Sequence, residues 1–394
     1  MASSIEALIN PDLLIWARKS AGFTEIGDVA RKIFIKLERL QAWERGDTRP
    51  TIAQLRKLGA VYKRPIAVFY LPKPPKDFQP LRDFRRLPGD LLGNMSPELI
   101  FAVRNAYARI EIALDLYRDV ELTPPTFTET ASLEEEPEEL GVRTRELLGV
   151  SLEQQMKWSE QYTALANWRA ALEKLGIFVF QISGVETAEM RGFSISKGPL
   201  PVIAANRKDP PRARIFTMLH ELIHIMLRSG GLCDLENETG RPPEEQRTEI
   251  FCNHVAGAIL VPKKLLLNLD MAATHKNKRD WSDEEIEALA KTFGGVSRET
   301  LVRRLLIVGL VTQTFYEQKR KQYQEEYKRQ AKRTVIVLPH INVISTVGKP
   351  FANLVFRALY QEKITTSDVA DYFEVRLKHL DKIEQMTRTS LDAI

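Results

Sequence analysis

The chain has 394 residues, 44% of them hydrophobic, and a net charge of +5. That is enough apolar material for more than one core and for two or three domains, while the mild basicity permits a nucleic-acid partner without requiring one. No apolar run approaches the ~18 residues of a membrane span and no secretory or lipidation signal is present, which predicts a cytoplasmic protein with no membrane partner.

Residues 1–72 read as a helical module. Asp28 to Ile33, a short turn, Leu37 to Arg45 followed by Gly46, and an amphipathic helix from Ile52 to Tyr62 come in that order. With Trp43-Glu-Arg-Gly46 and Pro50-Thr51, these segments resemble helices two and three of an XRE-type helix-turn-helix. In the usual docking mode the third helix lies in the major groove, and here it would offer Lys36, Arg39, Gln41 and Arg45 to DNA; single-stranded DNA is a further candidate partner. Two features depart from that pattern. Phe34 stands where the turn of such modules often has Gly, and Glu38 and Glu44 place negative charge on the reading helix. A helical module that binds or dimerises with protein is therefore the competing expectation.

A Pro-rich connector occupies residues 73–95, beginning around Leu71-Pro-Lys-Pro-Pro. Residues 96–315 then read as one α+β domain. A long amphipathic helix runs from Ser96 to about Val120, and acidic Glu134 to Glu139 reads as a solvated loop or helix start. Trp168 to Gly176 reads as a helix feeding a buried strand at Ile177 to Gln181, with further strands at Gly192 to Ser196 and Val202 to Ala205.

The chemistry lies in the next helix, His220-Glu221-Leu222-Ile223-His224. Two imidazoles four residues apart share one helix face and can grip one metal ion, with Glu221 beside the first as a general base. The lead-in from Arg214 and the run to Leu227 are free of Pro and Gly, and Gly230-Gly231 supplies a stop. A zinc peptidase needs a third protein ligand and keeps its fourth position for water. Glu249 is the favoured residue: it lies 25 residues after His224 and opens a second apolar helical segment that ends at Val261-Pro262. Asn253, one turn on, is placed to hydrogen-bond a liganding imidazole. His254 and Cys252 are the rivals, and His254 lies about 140° around the helix from Glu249. The oxyanion donor is open, with His254, Tyr162 and nearby arginines as candidates.

The runs Arg214 to Leu227, Gly231-Leu-Cys-Asp234 and Glu249 to Pro262, with Glu189 to Phe193 and Pro201 to Asn206 upstream, resemble the ImmA/IrrE family of bacterial zinc peptidases. Similarity extends over about residues 80 to 310, including Val296 to Leu305 after the site. The resemblance implies a zincin-like fold, a Zn2+ cofactor and an XRE-type repressor as substrate, cut so as to release stress, mobile-element, prophage or defence genes. Cys233 and Cys252 match positions where the family often has Cys. They read as packing residues or as transient zinc ligands, and not as a disulfide in the cytosol.

Residues 316–394 form an accessory region. Glu317 to Arg333 is strongly charged and reads as an exposed helix. Thr334 to Leu338 reads as a strand, and Phe351 to Tyr360, Thr366 to Tyr372 and Val375 to Leu380 read as compact helices. The expected fold class is thus α+β, with an N-terminal helix-turn-helix domain, a zincin-like domain with a small sheet, and a mostly helical C-terminal region. The expected function is a zinc endopeptidase acting on a repressor. The alternative is a DNA-binding regulator whose metal site is structural or idle.

Overall fold

The computed structural model describes residues 5–75, 95–196, 198–229, 232–233, 243–270, 272, 280–294, 296–330 and 338–388. It divides into two units, Met1–Tyr107 and Ala108–Ile394.

In the first unit, α1 (Pro11–Ser20), α2 (Ile26–Lys32), α3 (Leu37–Arg45), α4 (Ile52–Tyr62) and a 3-10 turn at Ile66–Tyr70 surround a core. Leu13, Leu14, Val29, Leu40, Trp43, Leu55, Leu58, Tyr62 and Phe69 fill it. Asn10 caps α1, and Thr51 with Gln54 forms a capping box on α4, each satisfying amides that a helix start leaves open. The turn between α2 and α3 places Phe34 at φ 59° and leaves its ring 92% exposed. The left-handed conformation that glycine adopts freely is thus imposed on a bulky residue, at a cost of ~1 kcal/mol. Glu44 departs from the expectation that it lends charge to the reading face. Its carboxylate takes two hydrogen bonds from Arg18, at 2.8 and 3.1 Å, with both side chains about nine-tenths buried.

A long helix α5 (Pro97–Asp119) follows, then α6 (Pro137–Leu148), α7 (Leu152–Met156) and α8 (Gln161–Lys174). Within the acidic stretch, Glu136 accepts from the amides of Glu138 and Glu139 and so starts α6. The strands β1 (Phe178–Ile182), β2 (Gly192–Ile195), β3 (Val202–Asn206) and β4 (Leu232–Cys233) form a four-stranded sheet ordered β1-β3-β2-β4. β1 runs parallel to β3, whereas β2 runs antiparallel to both β3 and β4. All residues of β1, β2 and β3 are buried, as largely apolar strands covered on both faces are, with Gln181, Ser194 and Asn206 as the polar members.

The helix that carries the motif, α9 (Pro211–Met226), packs on β2, β3, α8 and α10 (Pro243–Leu260). Pro211 occupies its first turn, where a missing N–H costs nothing. It stops at Leu227, with Arg228 in the left-handed region; the expected stop at Gly230-Gly231 lies outside the described residues. Glu249 does not open α10, which starts at Pro243. The short helix α11 (Lys263–Leu267) leads on to α12 (Asp283–Thr292), α13 (Arg298–Ile307) and α14 (Gln313–Gln330). The last was expected to be solvated, but it packs on α13 and buries Tyr316 and Tyr323. Some of its charges are paired with neighbouring helices, Lys319 with Asp283 of α12 at 2.9 Å and Glu326 with Arg298 of α13 at 2.6 Å.

The C-terminal helices are α15 (Pro339–Val347), α16 (Lys349–Tyr360), α17 (Thr366–Tyr372), a 3-10 turn at Leu377–His379 and α18 (Leu380–Arg388). α15 covers β1, and Arg169 ties them together by donating to the carbonyls of Ser345, at 2.8 Å, and Val179. Of the strand expected at 334–338, residues 334–337 lie outside the described residues and Leu338 caps α15. Among the described residues no helix is long and apolar enough to cross a membrane.

Candidate metal centre

His220 and His224 project from one face of α9, as i, i+4 spacing demands, and Glu249 reaches them from α10. The Nε2 atoms of the two imidazoles are 3.0 Å apart. Glu249 brings Oε2 to 3.3 Å from His220 Nε2 and Oε1 to 3.4 Å from His224 Nε2. A tetrahedral ion with bonds of ~2.0–2.1 Å separates its ligand atoms by about 3.3 Å, so this donor set has the size and chemistry of a metal site. Among the described residues it is the group placed to hold a metal ion.

Electrostatics agree. Burial keeps His220 well below its ordinary pKa, against the pull of Glu249, so the ring is neutral and has a lone pair to give. Burial pushes Glu249 toward its neutral form, but hydrogen bonding to His220 and His224 outweighs it and holds the carboxylate ionised. Neutral imidazoles and a charged carboxylate are the states a metal requires. Ser229 Oγ, 3.1 Å from His224 Nδ1, fixes the orientation of that ring.

Glu221 is fully buried. Its carboxylate lies against β2 at Gly192, where a Cβ would come within 3.2 Å of Oε1. The role of Gly192 was not read from the sequence, although an isolated Gly inside a strand is itself a sign of close approach. Asn253 is buried one turn beyond Glu249, and Cys252 is buried with its thiol pKa pushed up by desolvation, against a hydrogen bond to His224. Cys252 is a free thiol; the side chain of Cys233 lies outside the described residues.

The rivals engage other partners. His254 Nε2 is 3.0 Å from Glu138 Oε1 on α6. Tyr162 stands 60% exposed in the first turn of α8. Arg214 is buried and donates to Gln181 on β1.

What aims Glu249 is a set of buried side chains that the sequence reading passed over. The last carbonyls of α10 and the residue after it are capped by side chains. Arg145 donates to Ile259 O at 2.6 Å, Gln155 to Leu260 O at 2.9 Å and Arg304 to Val261 O at 2.7 Å. These donors satisfy orphan carbonyls and complement the negative end of the helix dipole. Glu138 joins them, accepting from Arg304 and, at 3.3 Å, from the amide of Lys263. Gly141 lets α6 approach closely, since a Cβ there would lie 2.8 Å from Ala258 Cβ.

In the first unit, Lys36, Arg39 and Arg45 are exposed at α3, and Gln41 is half-buried. Arg39 lies over the Trp43 ring at 5.6 Å, and Arg45 pairs with Asp47 at 2.8 Å.

Residues 172–306 match the peptidase family model described as the IrrE N-terminal-like domain, a span that holds the whole metal centre and supports the resemblance to the ImmA/IrrE family. No curated protein and no solved structure matches the chain.

Proposed function

We propose, taking as premise the IrrE N-terminal-like peptidase domain at residues 172–306, that the protein is a zinc endopeptidase making site-specific cuts in an XRE-type transcriptional repressor. The observation that carries this reading is the meeting of His220, His224 and Glu249 within hydrogen-bond-like distances beside a buried Glu221. His220, His224 and Glu249 would hold a zinc ion. When bound, zinc lowers the pKa of a coordinated water to about 7 and polarises a carbonyl.

Glu221 does the proton work. Its carboxylate takes a proton from the attacking water as the C–O bond forms, and delivers it to the leaving nitrogen as the C–N bond breaks. Burial in a site that excludes bulk water strengthens that exchange. Asn253 supports the ligand shell from the next turn of α10.

The chain is read as a helix-turn-helix module at 1–72, a linker at 73–95, the peptidase at 96–315 and an accessory region at 316–394, working in the cytoplasm. The substrate class follows from the family resemblance, and cutting the repressor would release stress, mobile-element, prophage or defence genes. The deciding experiment is co-expression with XRE-type repressors, any encoded beside it first, and mapping of the cut by mass spectrometry. A repressor left intact by the wild-type chain with zinc supplied would overturn the substrate assignment.

A second reading draws on the exposed Lys36, Arg39 and Arg45 at α3. On that reading the protein is a DNA-binding regulator and the metal centre is structural or idle. Mobility shifts unchanged by a chelator, together with no proteolysis, would favour it.

A further inference from the structure

The turn between α17 and α18 repeats that between α2 and α3, residue for residue, 340 positions later. In the first copy the amides of Ile33, Phe34 and Ile35 donate to the carbonyls of Val29, Arg31 and Ala30, at 3.1, 3.2 and 3.0 Å. In the second, the amides of Phe373, Glu374 and Val375 donate to Val369, Asp371 and Ala370, at 3.1, 3.1 and 2.9 Å. Phe34 and Glu374 both take the left-handed conformation, with φ of 59° and 54°. Val29, Ala30, Ile33, Leu40 and Trp43 are buried, and so are Val369, Ala370, Phe373, Leu380 and Ile383.

Matching burial leaves matching positions outward. Arg376, Leu377, Lys378, Asp381, Lys382 and Gln385 are exposed in the second copy. They correspond to Lys36, Leu37, Glu38, Gln41, Ala42 and Arg45 in the first. The C-terminal face carries three cations, Arg376, Lys378 and Lys382, against the carboxylate of Asp381, the same balance as Lys36, Arg39 and Arg45 against Glu38 at α3. Of the neighbouring acids, Glu374 faces Arg109 at 3.5 Å, Asp368 completes the capping box of α17 and Glu384 accepts from Tyr360, while Asp371 is exposed.

We propose that α17, the turn at Glu374, the 3-10 turn at Leu377–His379 and α18 form a second helix-turn-helix that docks on duplex DNA, with Arg376, Lys378 and Lys382 against its phosphates. The helix that follows such a turn is the element that enters a major groove, and cations on its outer face supply the salt-dependent part of the affinity. The inference stands apart from the peptidase reading, so a Glu221→Gln chain binds DNA as the wild type does.

The test uses the full-length chain and a fluorescent 30-base-pair duplex of mixed sequence, titrated by anisotropy at several salt concentrations. To remove the N-terminal contribution, the parent carries Lys36→Ala, Arg39→Ala and Arg45→Ala. Adding Arg376→Glu, Lys378→Glu and Lys382→Glu is expected to weaken binding at least ~10-fold and to lower the slope of log K against log salt by about 3, given a slope of ~0.9 per phosphate contact. The charge-conserving Arg376→Lys, Lys378→Arg, Lys382→Arg chain is expected to bind as the parent. A parent that does not bind the duplex, a charge reversal that leaves affinity and slope unmoved, or an equal loss in the charge-conserving chain overturns the proposal.

Discussion

Gly192 on β2 stands directly against the carboxylate of Glu221 on α9. A methyl group at position 192 would lie 2.4 Å from Thr217 Cγ2, 3.0 Å from the carbonyl of Ala204 and 3.2 Å from Glu221 Oε1. Two of these neighbours are on the motif helix and one is sheet backbone, so the clash can be relieved only by moving α9 relative to the sheet. Gly192→Ala is therefore expected to destabilise the fold by ~1–3 kcal/mol and to displace Glu221. Denaturant unfolding and turnover measured together check this; a variant with unchanged stability and activity would show that the gap is not needed.

Glu221 and Glu249 are both buried acids near the imidazole pair, yet they should fail differently. Glu221→Gln keeps bound metal and loses cleavage by a factor of ~10²–10⁴, the usual worth of a positioned acid-base group. Glu249→Ala loses the metal as well, because two imidazoles remain where three protein ligands are needed. Metal content by mass spectrometry after dialysis separates them. Equal metal retention in both variants would mean that Glu249 is not a ligand.

Glu138 ties α6 to the end of α10, and its pKa falls from the ordinary 4.5 to about 2. Burial acts the other way, but hydrogen bonds from His254 and Arg304 prevail. A carboxylate held below its unfolded value adds stability that is complete above about pH 4.5 and is lost as pH falls toward 2. Glu138→Gln should thus lower the urea midpoint at pH 7, with the difference from wild type shrinking toward pH 3. A penalty of the same size at both pH values would show that charge at Glu138 is not what stabilises this junction.

Phe34 offers a gain of stability. Its ring is exposed and its backbone is left-handed, so Phe34→Gly removes steric strain and no packing. The expected stabilisation is ~1 kcal/mol, read as a higher melting temperature for unfolding of the first unit. A drop in melting temperature would mean that the ring makes a contact worth more than the strain.

Local patterning was legible at many elements because it depends on neighbours in sequence. The period of apolar residues marked α3, α4, α8 and α9, and the buried runs at β1, β2 and β3 stood out as strands. His220, Glu221 and His224 belong to this class, since one helical turn sets their relation whatever surrounds them. α14 was legible in part for the same reason: its charges dominate the sequence and its exposed face bears them out, whereas the burial of Tyr316 and Tyr323 comes from packing on neighbouring helices.

By itself, then, the sequence determined the helix that presents two imidazoles and an acid on one face, because spacing along a single helix is local geometry. Only the tertiary structure decided which distant carboxylate meets those imidazoles, because that depends on how α10 is aimed. Arg145, Gln155 and Arg304, from three separate helices, do the aiming by binding the carbonyls at its end. The same holds for the clearance at Gly192 and for the repeat of one turn at Phe34 and Glu374, where φ and hydrogen bonding match although the residues do not. Backbone conformation and close approach are properties of the packed chain, and residue identity at those positions carries little of them.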